Sequence, residues 1–328
     1  LSSGRADRHG AACFARGAAI PRPIIIDCDP GTDDAVALLL ALASPELDVA
    51  AITVVGGNVG LDRTVANACA VRSLAGAADE VPVYAGAGRA LLADYASAVR
   101  VHGADGLGGI ALPPGTPPAV GLAADILRDR LRHGEAKVTL VGIGPATNLA
   151  LALATEPGLV AAIDEIVLMS GTWGSGNITK LTEFNAASDP EALAIVLACG
   201  APVTLATLDL TAQARVTPAR IAHLRALGGG RCLAAACDIL ASVPNEPGSA
   251  DMPAGHPLHD PCAIAWLLRP ALFTAQACTA TVVLAPGEQR GRTVIDRRPD
   301  APGPVRALER LDADGFFALL GERLAALP

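Results

Sequence analysis

The residues best equipped for chemistry are four aspartates gathered in one short stretch, Asp27-Cys28-Asp29-Pro30-Gly31-Thr32-Asp33-Asp34. Carboxylates this close repel one another, and folding them together without a cation costs energy. All-oxygen donors suit a hard divalent ion, Ca²⁺ or Mg²⁺, and no Cys/His spacing in the chain points to zinc. A plainer account makes Asp33 and Asp34 acidic residues at a helix start, and Asp27 and Asp29 solvated turn residues. That account serves Asp33 and Asp34. It does not serve Asp27 and Asp29, which directly follow the apolar run Ile24 to Ile26.

The stretch therefore marks the end of a strand and the start of a helix through Ala35 to Leu42, the place where open α/β sheets bind ligands. The same rhythm repeats along the chain. DVAAITVVGG precedes RTVANACAVRSLAG, KVTLVGIG leads into PATNLALALA, DEIVLMSG leads to a helix near Pro190 to Leu197, and PVTLATLDL leads to TPARIAHLRAL. Continuous apolar strands followed by helices predict a single-domain, Rossmann-like α/β fold with an open, mostly parallel sheet and helices on both faces. Near the end, TATVVLAPGEQRGRTVIDRR predicts a hairpin or edge pair, followed by a helix over DGFFALLGERLAAL. Three Gly/Pro-rich segments, Gly103 to Gly121, Gly171 to Gly176 and Val243 to Pro257, are expected to be active-site loops.

Composition narrows the function. The chain has 328 residues, 51% apolar and 18% charged, ample material for a large core and no sign of disorder. The mean hydropathy of +0.41 does not mark a membrane protein, because Pro45, Gly200 and Pro202 break the richest runs short of a spanning length. A net charge of −8, with 25 basic residues in no block, argues against a nucleic-acid partner and favours a small neutral or cationic ligand. Eight cysteines without a C-x-x-C pair predict reduced thiols and a cytoplasmic setting. Residues 1–21 carry no apolar signal segment and are expected to form a disordered extension ahead of one catalytic domain over 22–328.

The Asp27 to Asp34 stretch resembles the D-x-D-P-G-x-D-D fingerprint of the inosine–uridine preferring nucleoside hydrolases, without a gap. Further resemblance follows in order: VVGGN ending at Asn58, VHGADGLGG from Val101, GPATNLALAL from Gly144, EFN at Glu183 to Asn185, LHDPCA from Leu258 and GEQRGRTVIDRR. The resemblance implies Ca²⁺-dependent hydrolysis of the N-glycosidic bond of ribonucleosides, in nucleoside salvage. It implies Ca²⁺ ligands at Asp29, Asp34, Asp260 and the Ile143 carbonyl, where the family often has Thr. Asp29 would act as general base, taking a proton from water acidified by the metal, and His259 would protonate the departing base. Asp33 is expected on the ribose 2′-hydroxyl, Asn185 on the 3′-hydroxyl, and Asn177 with Glu183 toward the 5′-hydroxyl. Asn58 is expected near the same sugar, Met169 on the ring face, and His102 near the base. Asp27 is expected to orient the loop. The family commonly forms homodimers or homotetramers.

The aromatic content, only 3%, separates this chain from members that stack a helix-borne aromatic on the base. The region RCLAAACDILASVPNEPGSADMPAGHP holds no aromatic residue, which leaves His259, His102 or Trp173, the last equally suited to anchor the core or a lid, to meet the base and favours pyrimidine nucleosides such as uridine or cytidine. His9, His133, His223 and His256 stand in polar or helical surface contexts and receive no role. Two rival readings remain. One is a Mg²⁺-dependent phosphohydrolase of the haloacid-dehalogenase type, weakened by a displaced Thr32 and a lysine count limited to Lys137 and Lys180. The other is a catalytically silent ribose- or Ca²⁺-binding protein, which has less need of His259.

Overall fold

The computed structural model describes residues 20–248, 253–298, 300 and 303–328, so the extension expected over residues 1–21 falls almost wholly outside them. Six strands follow the predicted alternation: β1 (Arg22–Cys28), β2 (Leu47–Val54), β3 (Val83–Ala85), β4 (Val138–Gly142), β5 (Ile163–Met169) and β6 (Val203–Ala206). Two short strands, β7 (Arg215–Val216) and β8 (His256–Pro257), form a separate antiparallel ladder. The chain then returns to the main sheet as β9 (Phe273–Val282), β10 (Thr293–Asp296) and β11 (Val305–Leu311). The nine-stranded order is β10-β9-β11-β6-β5-β4-β1-β2-β3. The pairs from β3 across to β11 are parallel, while β9 lies antiparallel to both β11 and β10. This is the mostly parallel α/β sheet that the sequence predicts, and β9 with β10 is the predicted edge hairpin.

The strand sequence runs outward in both directions from the β1–β4 pair, so the chain order reverses there and opens a crevice at the strand ends. Asp27 pairs in register with Thr53 of β2 and Gly142 of β4, which sets the aspartate stretch at that crevice. Alternation along β1 sends Ile24, Ile26 and Cys28 into the core on one face and Ile25 into the core on the other. The helix Thr32–Leu42 is buried on every side from Ala35 to Ala41, packed among the helices Leu61–Leu74, Arg231–Ser242, Pro261–Leu268 and Ala313–Ala325. Burial of Leu38, Leu39 and Leu40 contributes about 2 kcal/mol each. The helix that carries Asp33 and Asp34 is thus held rigidly from below. Among the described residues no helix is long and apolar enough to cross a membrane. The seven described cysteines are unpaired.

Candidate active site

The aspartate stretch is built by backbone donors. Asp34 Oδ2 accepts the Gly31 N–H at 2.9 Å and Asp34 Oδ1 accepts the Asp29 N–H at 3.1 Å, closing the first helical turn over the end of β1. Asp34 is therefore a helix cap and a site residue at once. Asn58 ties the loop after β2 to the same turn: its N–H donates to Asp29 Oδ2 at 2.7 Å, and its Nδ2 donates to the Asp29 carbonyl and to Asp34 Oδ2, both at 3.1 Å. Gly57 and Gly144 press against the two Asp29 carboxylate oxygens so closely that a Cβ at either would collide with them. Asp27 lies underneath, fully buried, accepting the Thr53 hydroxyl at 2.6 Å and Asn148 Nδ2 at 2.9 Å. It links β1, β2 and the helix Thr147–Thr155, the orienting position expected of it.

One carboxylate oxygen from each of Asp33, Asp34 and Asp260 lies within 4.8 Å of the other two. Asp33, expected on the sugar, thus stands beside two of the expected metal ligands, while Asp29 is tied to Asp34 through its backbone N–H and its carboxylate stands outside that group of three. Burial, followed by the neighbouring carboxylates, raises the pKa values of Asp29, Asp34 and Asp260 well above the ordinary carboxylate range. Burial alone outweighs two hydrogen bonds at Asp27 and lifts it to about 7. Asp29 Oδ1 and Asp33 Oδ1 are buried without a hydrogen-bond partner among the described residues. Orphaned oxygens in a crowded acidic cluster fit a hard divalent cation, which would keep the cluster ionised near neutral pH.

Above the cluster opens a cavity of about 800 Å³. Asp33, Asn58, His102, Ile143, Met169, Asn177, Glu183, Asn185, His259 and Asp260 line it, while Asp27, Asp29 and Asp34 are buried and outside its lining. Asn185 Nδ2 donates to the Ile143 carbonyl at 3.1 Å and the Met169 carbonyl at 3.0 Å, bringing three expected residues together. Glu183 caps the helix Phe184–Ser188, accepting the N–H groups of Gly171, Asn185 and Ala186 at 2.7 to 2.9 Å. These bonds make it a positioning residue for Asn185 as well as a cavity wall. Met169 is buried at the end of β5, and Asn177 is exposed at the mouth.

The two expected imidazoles are held differently. His102 Nδ1 accepts the Thr32 N–H at 3.1 Å and lies 2.9 Å from the Thr32 hydroxyl. A backbone N–H can only donate, so the His102 proton sits on Nε2. His259 Nδ1 lies 2.7 Å from the Thr211 hydroxyl, where either tautomer is possible. Burial lowers both pKa values, and Asp33 opposes the shift in each case.

Several residues reach the cavity without a signal in the sequence. Phe184 is the only Phe, Tyr or Trp side chain lining it among the described residues, Asp209, Arg215 and Glu246 line it too, and Thr211 holds His259 from behind. His256, expected at the surface, is buried and lines the cavity, because the β7–β8 ladder pulls it inward. Exposed His133 and His223 stand as expected on helices, and His9 lies outside the described residues. Trp173 does not line the cavity: its N–H donates to Asp209 at 2.9 Å and Arg297 covers its ring at 4.2 Å, so it anchors the loop. Of the three Gly/Pro-rich segments, the one from Gly103 to Gly121 instead wraps the helix Leu61–Leu74, where Asn67 donates to the Asp105 carbonyl and Arg72 to that of Thr116. Lys137 and Lys180 are exposed and neither lines the cavity, which weighs against a lysine-based phosphohydrolase site.

Comparison with known proteins agrees with this geometry. Residues 24–318 match the family described as "Inosine-uridine preferring nucleoside hydrolase". The chain is 43% identical over 309 residues to a pyrimidine-specific ribonucleoside hydrolase RihA of Shewanella sp. (strain ANA-3), covering 93% of this chain and 96% of the relative. It is 42% identical over 311 residues to the RihA of Salmonella schwarzengrund (strain CVM19633), covering 92% and 98%. Among solved structures it is similar to a purine-preferring ribonucleoside hydrolase from Gardnerella vaginalis, with a TM-score of 0.83, 31% identity and coverage of 93% and 98%. The chain belongs to the inosine–uridine preferring nucleoside hydrolase family and is an N-glycosyl hydrolase.

Proposed function

We propose that this enzyme hydrolyses the N-glycosidic bond of pyrimidine ribonucleosides to ribose and free base, with Ca²⁺ held by Asp29, Asp34, Asp260 and the Ile143 carbonyl. The observation that carries the reading is the acidic floor with orphaned oxygens at Asp29 and Asp33, set beneath a cavity lined by amides and imidazoles. When bound, Ca²⁺ supplies positive charge that gathers the ribose hydroxyls and acidifies water.

The chain's own groups divide the remaining work. Asp29 Oδ2 is fixed by the Asn58 N–H, which leaves Oδ1 to take the proton from the attacking water. Asp33 Oδ1 accepts the 2′-hydroxyl. Both N–H donors of the Asn185 amide are committed to carbonyls, so its own oxygen remains to accept the 3′-hydroxyl. Asn177 at the mouth and Glu183 approach the 5′-hydroxyl. Negative groups around the ring favour the oxocarbenium-like transition state over the neutral substrate. A Thr211 hydroxyl donating to His259 Nδ1 would leave the proton on Nε2, the tautomer needed to protonate the departing base. His102 carries its proton on the same nitrogen and stands near the base.

The pyrimidine preference is supported by the RihA relatives and by a cavity lining whose only Phe, Tyr or Trp among the described residues is Phe184. Ribose and a free base are products that nucleoside salvage consumes. A ribonucleoside panel with ribose detection, run with Ca²⁺ and with chelator, tests the reading. Uridine and cytidine should outpace inosine, with activity lost in chelator. Binding of ribose without turnover of any nucleoside would instead support a silent binding protein.

A further inference from the structure

We infer that His256, supported by Arg215 and Glu246, forms the wall that reads the nucleobase, with one ring nitrogen hydrogen-bonding to the polar edge of a pyrimidine. This inference rests on the nucleoside-hydrolase reading above. The wall is built from distant parts of the chain. In the β7–β8 ladder Val216 pairs with His256 and Arg215 with Pro257. Glu246 and Gly255 exchange backbone hydrogen bonds at 2.7 and 3.1 Å. Arg215, only 4% exposed, spans these strands: Nη1 donates to Glu246 Oε2 at 2.7 Å and Nη2 donates to the Gly255 carbonyl. Arg215, Glu246 and His256 all line the same cavity as the acidic floor.

Within this clamp His256 is 5% exposed, and neither ring nitrogen has a hydrogen-bond partner among the described residues. Arg215 Nε is orphaned in the same way. Buried polar groups are nearly always satisfied, so an imidazole orphaned at both nitrogens beside a cavity calls for a partner that the cavity admits. Charge assigns that partner to the base. In the transition state the sugar gains positive charge and the leaving base negative charge. Asp33, Asp34 and Asp260 suit the first, and an N–H donor set apart from that acidic cluster suits the second. Burial lowers the His256 pKa, while Asp33 opposes that shift and Arg215 reinforces it. A neutral imidazole offers one donor and one acceptor, so either a carbonyl oxygen or a ring N–H of the base finds its match at one ring nitrogen.

The test compares uridine with free ribose, which lacks the base, on wild type, His256→Leu and His256→Gln. His256→Leu should raise KM for uridine about tenfold, the loss of one good hydrogen bond. The inhibition constant of ribose should stay within about twofold. His256→Gln, which keeps a donor and an acceptor, should recover most of the loss, and it carries the test if the Leu variant does not fold. Equal changes for ribose and uridine would show a merely structural role and overturn the inference, as would an unchanged KM in both variants. Failure of the wild type to cleave any nucleoside would contradict the hydrolase reading instead. Calorimetric binding of uridine and ribose would then make the same comparison for His256.

Discussion

The two ends of the cavity are built on opposite plans. The sugar end is centred on one contiguous stretch at the switch point of the sheet, where Asp29 and Asp34 share five hydrogen bonds with their own turn and with Asn58, and Ile143, Asn185 and Asp260 join it from other elements. The base end is assembled from β7, β8 and the segment around Glu246, joined by a ladder of two residues per strand. Under the proposed function, a floor fixed by backbone donors holds the ribose. A wall of side chains from short, separate segments can change without disturbing it. Relatives named for opposite base preferences, pyrimidine-specific at 43% identity and purine-preferring at a TM-score of 0.83, accord with that division.

The comparison predicts its largest effect at the floor. Asp29→Asn keeps the hydrogen bond from Asn58 but removes the base, and kcat on every nucleoside should fall about 10³-fold. A loss restricted to one nucleoside would break the distinction between the two ends. His259→Ala comes next, with about a 10²-fold loss on uridine and a far smaller one on a nitrophenyl riboside, whose leaving group needs no proton. Equal losses on both would remove His259 from leaving-group protonation.

These two effects fall on residues the sequence makes legible, and the reason is local. Asp27 to Asp34 are adjacent in the chain, so their chemistry can be read without knowing the fold, and a strand-to-helix turn sets their geometry. Arg215 and His256 are separated by some forty residues and meet only through the β7–β8 ladder, too short to leave a periodic pattern. β11 is equally silent, because Arg306, Glu309 and Arg310 interrupt the apolar run that marks the other parallel strands. Trp173 is open in the sequence: an aromatic in a loop after β5 suits a base-facing residue and a loop anchor equally, and the fold makes it the anchor, with Arg297 over its ring and Asp209 accepting its backbone N–H.

A smaller effect is expected at Phe184. Phe184→Leu should raise KM for nucleosides by about two- to tenfold, the worth of one aromatic stacking contact, with little change for ribose. The reverse pattern would place Phe184 at the sugar end.

The smallest effect separates the ends by pH. Asp27 is raised to about 7 in the folded protein, against about 4 when unfolded. A raised carboxylate stabilises the fold below its unfolded pKa and loses that contribution as pH rises through the folded value. Asp29, Asp34 and Asp260 shift in the same direction. His102, His256 and His259 are lowered and act oppositely, losing stability as pH falls through and below their unfolded value. The Ca²⁺-dependent difference in melting temperature isolates the floor: it should be a few degrees larger at about pH 7.5 than at about pH 5. A difference independent of pH would mean that the cation does not relieve the acidic cluster.

The central claim is that the acidic floor directs water to the anomeric carbon. Turnover of uridine in ¹⁸O-labelled water with Ca²⁺ present tests it most directly. The account predicts ribose carrying a single ¹⁸O at the anomeric position and uracil carrying none. Label in the uracil, or no release of ribose at all, would contradict it.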